Sequence, residues 1–476
     1  MRKRFLNRRK NKLAPSYHQL EARQLLATIT ADAGVLSIVG TAGQDRIRVS
    51  ESTTAANMIA VRDGIQETNI DVSSINRVEF FGLEGDDEFL FSNSNQFQQL
   101  SELFFSGAEG NDSLYVDSFR PGASFSVEGI GGTGDDILEI ANALQITTAT
   151  PAEFFGNEGD DVLIGGLGDD VLIGGIGRDQ IAGQRGADEI FGGDGADELD
   201  GGAGNDLISG GNQADTIRGG STALTATGGI IGGGNDEIFG NAGSDNIDGG
   251  DGNDRIVGDL GIDFVLGGTG DDVIFGGEDE DLLFGQDGND QIFGQEQDDF
   301  ISGGNGEDTI DGGEGVDVLN GNVGNDRLTG GDGDDEIFGG NDDDVLFGRT
   351  GNDRLVGGFG NDRIEGNNGN DEIFGNFGND FLVGGPGDDG IRGAAGIDQL
   401  FGGTGADLLA GNEGDDRLFG DDGPDQLFGQ EGADFLNGGI DIDFLIGGED
   451  DDIFSDITGN DTISDFFDGL DQFSNA

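Results

Sequence analysis

GGDGNDRIV (249–257), GGTGDDVIF (267–275) and GNEGDDRLF (411–419) are copies of one nine-residue unit, which repeats without a slipped residue from Ile231 to Ser464, twenty-six times in all. The shared form is Gly, often Gly, any residue, usually Gly, any residue, Asp, any residue, aliphatic, any residue. The Asp never fails. A period this short and strict fixes the architecture before any local secondary structure is assigned. Working outward, seven more copies precede the block, from GNEGDDVLI (156–164) to GGNQADTIR (210–218).

Composition narrows what such a unit can do. The 476 residues include 96 Gly, and 96 Asp plus Glu stand against 23 Lys plus Arg, for a formal net charge of -73. Without counterions such a chain repels itself into an expanded coil, so it is either disordered or a binder of cations. An aliphatic residue kept at one place in every copy argues for the second, because a disordered acidic tail has no use for it. The charge also argues against nucleic acid as a partner. Repeat architectures grow by addition, so length says little about domain count.

Several chemistries are excluded by what is missing. There is no Cys, hence no disulfide, thiolate metal site or Cys nucleophile. The single His, His18, lies in a basic N-terminal stretch, which removes His-ligated zinc and any Ser-His-Asp triad from the body of the chain. No apolar run approaches the length of a membrane span.

Within each unit the sequence predicts a six-residue turn followed by a three-residue strand. Gly at the first, second and fourth places permits positive φ and close backbone packing, so that carbonyl oxygens can face into the turn. Carbonyls and carboxylates are hard oxygen donors that suit Ca²⁺, with its six to eight flexible ligands, better than Mg²⁺. The eighth residue, for example Ile256, Val265, Ile274, Leu283 or Ile292, points inward, and the seventh and ninth point outward.

Two units then complete one eighteen-residue turn, and units of the same parity stack. Asp236, Asp254, Asp272, Asp290 and Asp308 fall in one column, and Asp245, Asp263, Asp281, Asp299 and Asp317 in the other. Stacked strands lie about 4.8 Å apart, a spacing at which bare carboxylates repel and a divalent ion between turns makes the column cohesive. The candidate metal ligands are therefore all the sixth-place residues: Asp161, Asp170, Asp179, Asp188, Asp197, Asp206 and Asp215 in the first block, and in the second those ten together with Asp326, Asp335, Asp344, Asp353, Asp362, Asp371, Asp380, Asp389, Asp398, Asp407, Asp416, Asp425, Asp434, Asp443, Asp452 and Asp461. Folding and ion binding are expected to be one event. Twenty-six units make a rod roughly 60 Å long.

The units resemble the calcium-binding nonapeptide of the repeats-in-toxin, or haemolysin-type, family. The resemblance covers residues 156–464 almost completely. It implies a right-handed parallel β-roll with Ca²⁺ between adjacent turns, held by the sixth-place Asp and turn carbonyls, in proteins that usually leave the cell by type I export and fold outside it. The departures are local: Gln213, Asp279, Gln297, Asp342, Asp441 and Asp450 take the fourth place, where strained turns or weaker sites are expected.

The flanks complete the division. Residues 1–27 hold eight of the basic residues, among them Arg2, Lys3, Arg4 and Arg8, but lack the apolar core of a secretory signal. LEARQLLA (20–27) resembles an element near the N-termini of certain bacterial surface and secreted proteins, so an export leader and a plain basic tail both stay open. Residues 28–155 alternate apolar and polar residues as strands do. They carry the motif at Gly40, Gly82, Gly107 and Gly131, the last three spaced by 25 and 24 residues. This predicts a wide-rung β-helix that narrows at Gly156, with Phe80, Phe104, Phe125 and Phe154 filling and capping its end. Residues 219–230 are expected to interrupt the ladder as a degenerate turn carrying a loop, and 465–476 to close the far end with aromatic residues.

The expected fold class is thus all-β: a parallel β-solenoid whose wide N-terminal rungs lead into a roll of eighteen residues per turn. The expected function is Ca²⁺ binding by a secreted or cell-surface structural module, with an adhesin or self-assembling matrix component as the alternative. An EF-hand is excluded, because its loop needs acidic residues at alternate places and a Glu at the twelfth. Carboxylate pairs such as Asp160–Asp161 and Asp334–Asp335 are too numerous and equivalent to mark a glycosidase. Residues 28–155 show no GxSxG, HExxH or long apolar helix, so no enzyme is expected. Ninth-place aromatics such as Phe239, Phe275, Phe284 and Phe338 should face outward, either as filler or as a sticky face for a surface partner or self-association.

Overall fold

The computed structural model describes residues 28–32, 35–51, 58–63, 66–71, 75–92, 100–117, 126–140, 151–220, 223–224, 230–231, 233–455, 461–464 and 472–474. Every regular element among them is a strand. The leader, Phe125, Phe466, Phe467 and Leu470 lie outside the described residues.

The chain winds as a solenoid with two long parallel sheets facing each other. Successive units feed alternate sheets: Arg255–Leu260 lies in the first and Phe264–Thr269 in the second. From Glu153↔Val171 onward strands pair with those 18 residues later, as in Arg255↔Val273 and Phe264↔Leu282, except across one interruption and at the C-terminal end. The strands are longer than the three residues expected. Most run six residues, from the seventh place of one unit to the third place of the next, leaving only the fourth to sixth places as the corner. The strand outlasts the aliphatic residues because the first-place Gly also turns inward: its lack of a side chain lets the two sheets close on a thin core.

That core is a double file of eighth-place residues. Ile256, Val265, Ile274, Leu283 and Ile292 are all fully buried. The wide rungs enclose more space and fill it with rings. Registers there step by 25 and 24 residues, as in Arg77↔Glu102 and Glu102↔Ser126. Phe80 stacks on Phe89 at 4.8 Å and on Phe105 at 5.5 Å between ring centroids, and Phe154 is buried above them. Phe104, expected in this interior, is half-buried on the outer side against Phe81 and beneath Arg77; its neighbour Phe105 takes the inward position. The side chains alternate along a strand, so a one-residue difference exchanges core for surface.

At the N-terminal end the first parallel step is 42 residues, Val35↔Arg77 and Arg46↔Glu88. The additional length forms antiparallel extensions: Thr28–Asp32 pairs with Val35–Val39, and Met58–Asp63 joins Arg46–Glu51 to Gln66–Asp71. These extensions pair along the outer edge of the first rung in each sheet. At the other end Gln472–Ser474 pairs with Ile453–Ser455, whose Phe454 is buried.

The interruption lies two residues later than the sequence suggested and forms no turn of its own. Leu207 pairs with Glu237 and Thr216 with Asn246, a step of 30, so the ladder closes without it. Gly219 and Gly220 occupy the first two places of a unit that resumes at Gly233, since a Cβ on Gly219 would lie 2.5 Å from Oδ2 of Asp236. Residues 221–232 are therefore inserted within one unit. Their described part is a short antiparallel pair, Ala223–Leu224 with Ile230–Ile231.

Candidate cation-binding corners

Each corner is built from one Asp and the glycines before it. In GGDGNDRIV the second place, Gly250, has φ 102° and the fourth, Gly252, φ 142°, conformations that turn the chain between the two sheets. The six fourth-place departures keep positive φ: Gln213 80°, Asp279 81°, Gln297 78°, Asp342 76°, Asp441 92° and Asp450 79°. The corner is retained there at the steric cost of a side chain in left-handed backbone, about 1 kcal/mol or more each.

The sixth-place Asp is sealed inside. Asp254, Asp263 and Asp272 are no more than 1 % exposed. The backbone N–H of Asp254 donates to Oδ1 of Asp272 at 2.8 Å, and Asp272 in turn donates to Oδ1 of Asp290 at 2.8 Å. The carbonyl of Asp254 accepts from the N–H of Val273 at 2.9 Å. One oxygen of every side chain is thus committed to stitching its turn to the one before.

The other oxygen is not. Oδ2 of Asp254, Asp263, Asp272 and their equivalents from Asp112 to Asp443 is buried with no hydrogen-bond partner. It points at the first-place Gly of its own unit: a Cβ on Gly258 would lie 2.2 Å from Oδ2 of Asp263 and 2.6 Å from the carbonyl oxygen of Gly276 in the next turn. Gly is needed here because two hard oxygens already face the space a side chain would fill. The ion pairs of the two-sheet roll, such as Arg255–Glu237 and Arg354–Glu336, lie on its outer faces and join Arg to Glu.

A buried carboxylate with no counter-charge is strongly disfavoured. Burial, before any other cause, pushes these carboxyls up: Asp254 to about 6, Asp263 to about 7 and Asp272 to about 8. For Asp272 the backbone N–H of Asp254 works against the rise, and the charges of Asp254 and Asp290 in the adjacent turns add to it. Among the described residues no cluster of three or more His, Cys, Asp or Glu converges on a point. The donor set at a corner is instead one carboxylate supplemented by carbonyl oxygens. With no nitrogen or sulfur in it, that set fits Ca²⁺ and excludes the softer transition metals as preferred occupants.

The hydrogen-bond chain sorts the sequence-derived ligands into two columns. One runs from Asp161 through Asp179, Asp197, Asp215 and Asp245 to Asp443 and Asp461; the other runs from Asp170 through Asp188, Asp206 and Asp236 to Asp434 and Asp452. Asp461 is only half-buried, and its Oδ1 is 3.1 Å from the N–H of Asp443. Four residues outside the sequence-derived set share the first column. Asp45, Asp87, Asp112 and Asp136 precede Asp161 in the first column, each N–H donating to Oδ1 of the next. The same motif marks them in the sequence, but spacings of 24, 25 and 42 residues hide them from a nine-residue count.

The outer faces are less open than expected. Ninth-place rings are half-buried because they stack along the axis: Phe275 on Phe293 at 5.0 Å, and Phe401 on Phe419 at 4.9 Å. Arginines cover others, as Arg354 does for Phe338 and Phe374. Among the exposed apolar groups, three stand at the seventh place in consecutive turns of the second sheet, Phe264 (39 %), Leu282 (40 %) and Phe300 (37 %), while others, such as Phe359, Phe377 and Ile440 at the third place of their units, are more exposed.

Comparison with protein-family models gives a match to one described as RTX calcium-binding nonapeptide repeat (4 copies), in stretches that together cover residues 155–222 and 230–463. A search of curated proteins gives no match.

Proposed function

The chain belongs to the RTX calcium-binding nonapeptide-repeat family, and from that premise we propose that it is a non-enzymatic structural module, secreted or held at a cell surface, which folds as it takes up Ca²⁺. Calcium binding by the repeat module follows from the family. The observation that supports the rest is the pair of buried Asp columns whose Oδ2 atoms, from Asp112 to Asp443, have no hydrogen-bond partner within the protein. A protein that must keep such columns charged needs a medium with abundant Ca²⁺, and millimolar Ca²⁺ belongs outside cells. Titration calorimetry at pH 7.5 is expected to show many Ca²⁺ bound per chain with little response to Mg²⁺, which demands a tight octahedron and releases its water reluctantly. Uptake of only one or two ions would overturn this reading.

The adhesin or matrix alternative draws on a different observation, the run of Phe264, Leu282 and Phe300 along one face. Apolar surface continuous over several turns often marks a contact site, and ions in the corners reduce the repulsion between copies. In this reading millimolar Ca²⁺ raises light scattering, and Phe264→Ser with Phe300→Ser suppresses the rise. A rod that stays monomeric at high Ca²⁺ removes the self-assembly reading and leaves the calcium module standing.

A further inference from the structure

The first Asp column does not stop where the nine-residue repeat does. We infer that the cation column continues into the wide rungs on one corner only, with further Ca²⁺ sites at Asp112 and Asp136, and that it ends where Asp45 and Asp87 are satisfied by the protein's own donors. This inference rests on the calcium reading above and extends it to residues outside the stretches matched by the family.

Asp112 is 0 % and Asp136 1 % exposed, and Oδ2 of each has no hydrogen-bond partner. Both oxygens are aimed into the same kind of cradle as in the roll. A Cβ on Gly107 would lie 2.2 Å from Oδ2 of Asp112 and 2.4 Å from the carbonyl oxygen of Gly131, and one on Gly131 would lie 2.2 Å from Oδ2 of Asp136. Rung width does not disturb this corner, because the additional residues of a wide rung all enter on the opposite side, between Asp117 and Ser126 or between Ile140 and Ala152.

One rung before Asp112 the chemistry changes. Oδ2 of Asp45 accepts from the N–H of Thr41 at 2.5 Å and from its hydroxyl at 3.1 Å, and Oδ2 of Asp87 accepts from the N–H of Leu83 at 3.3 Å. A carboxylate with its own donors has less need of a cation. The opposite column begins only at Asp170, whose Oδ1 takes the N–H of Ala152. The N-terminal rungs are therefore single-sided, with ions on one corner and stacked rings in the interior.

Tyr115 makes this testable. The chain has two Tyr and no Trp, and the other Tyr is Tyr17 in the leader. Tyr115 lies three residues beyond Asp112, on the strand that the Asp112 corner leads into, about 10 Å along the chain. Tb³⁺, a luminescent hard-oxygen substitute for Ca²⁺, emits on tyrosine excitation only when bound near the ring. In full-length Tyr17→Phe protein, Tb³⁺ emission is expected, displaceable by Ca²⁺. Asp112→Asn combined with Asp136→Asn should lower it at least twofold, the remainder coming from Asp161. Asp45→Asn should leave it unchanged, as should Asp281→Asn, roughly 40 Å further along the column. Asn keeps the acceptor oxygen that stitches the rungs, and sheet circular dichroism in Ca²⁺ verifies folding. Should the double variant misfold, Asp112→Asn and Asp136→Asn are tested singly. Emission absent from the parent, or unchanged in folded variants, overturns the inference. If the chain takes up Ca²⁺ while either of those results holds, only this inference fails; if it takes up none, the calcium reading itself fails.

Discussion

Removal of Ca²⁺ at pH 7.5 is expected to abolish most of the parallel-sheet signal and expand the chain from a rod toward a coil. Some twenty rungs at about 4.8 Å give a folded radius of gyration near 30 Å, whereas an unfolded chain of this length approaches about 80 Å. The physical reason lies in the corners. Stacked Asp residues hold unpartnered oxygens in sealed positions, as at Asp263 and Asp272. Against the repulsion of the two columns the roll can set only one inward aliphatic residue per unit and its backbone ladders. Because the order of each residue costs more when Gly is abundant, ligation has to supply the difference, and binding free energy becomes folding free energy. Circular dichroism and small-angle scattering, with and without excess chelator, measure both quantities. A sheet spectrum as strong in chelator as in Ca²⁺ would sink the coupling of folding to binding.

Acid should partly substitute for the ion. Asp236, Asp272, Asp281 and Asp434 are pushed up to about 8, and Asp254, Asp290 and Asp308 to about 6, from an ordinary value of 3.8, in each case chiefly by burial. Between 3.8 and those raised values the folded chain binds more protons than the unfolded one. Stability in the absence of Ca²⁺ therefore grows as pH falls through the window from about 8 to about 4, and is lost again as pH rises through it. Sheet signal is expected to return on acidification of Ca²⁺-free protein to about pH 5, still above the sequence pI of 4.1. Sedimentation separates refolding from precipitation. The linked statement is that Ca²⁺ binding near pH 7 releases protons, since the ligand must be ionised. A coil spectrum across the whole range, or binding heats at pH 7 that do not change with the ionisation enthalpy of the buffer, would contradict the assignment of these carboxyls.

Most of the roll is legible in the sequence because its two signals act locally. The invariant Asp and the eighth-place aliphatic repeat on a clock that admits one winding, and the parity rule places Asp236 with Asp254 and Asp245 with Asp263 from spacing alone. The wide rungs were legible in outline through the spacing of Gly82, Gly107 and Gly131. Which ring turns inward was not, since Phe104 and Phe105 are adjacent and equally apolar, and only the register with Phe80 decides between them. The insertion shows the same limit. Gly219-Gly220 and Gly233-Gly234 could each begin a unit by composition, and the pairing of Gly220 with Gly250, with Gly219 set against Asp236, settles how the unit is divided.

The sequence by itself determined the period, the fold class and the chemical character of the corners, because these depend on residue types at fixed spacing along one unit. Tertiary structure alone decided that Oδ1 of each Asp is taken by the neighbouring turn while Oδ2 is left facing a carbonyl. It also decided that the column begins within the wide rungs and not at Gly156. Both depend on what lies one rung away, and a residue one rung away is 18, 24, 25, 30 or 42 positions distant, according to how the intervening chain is folded.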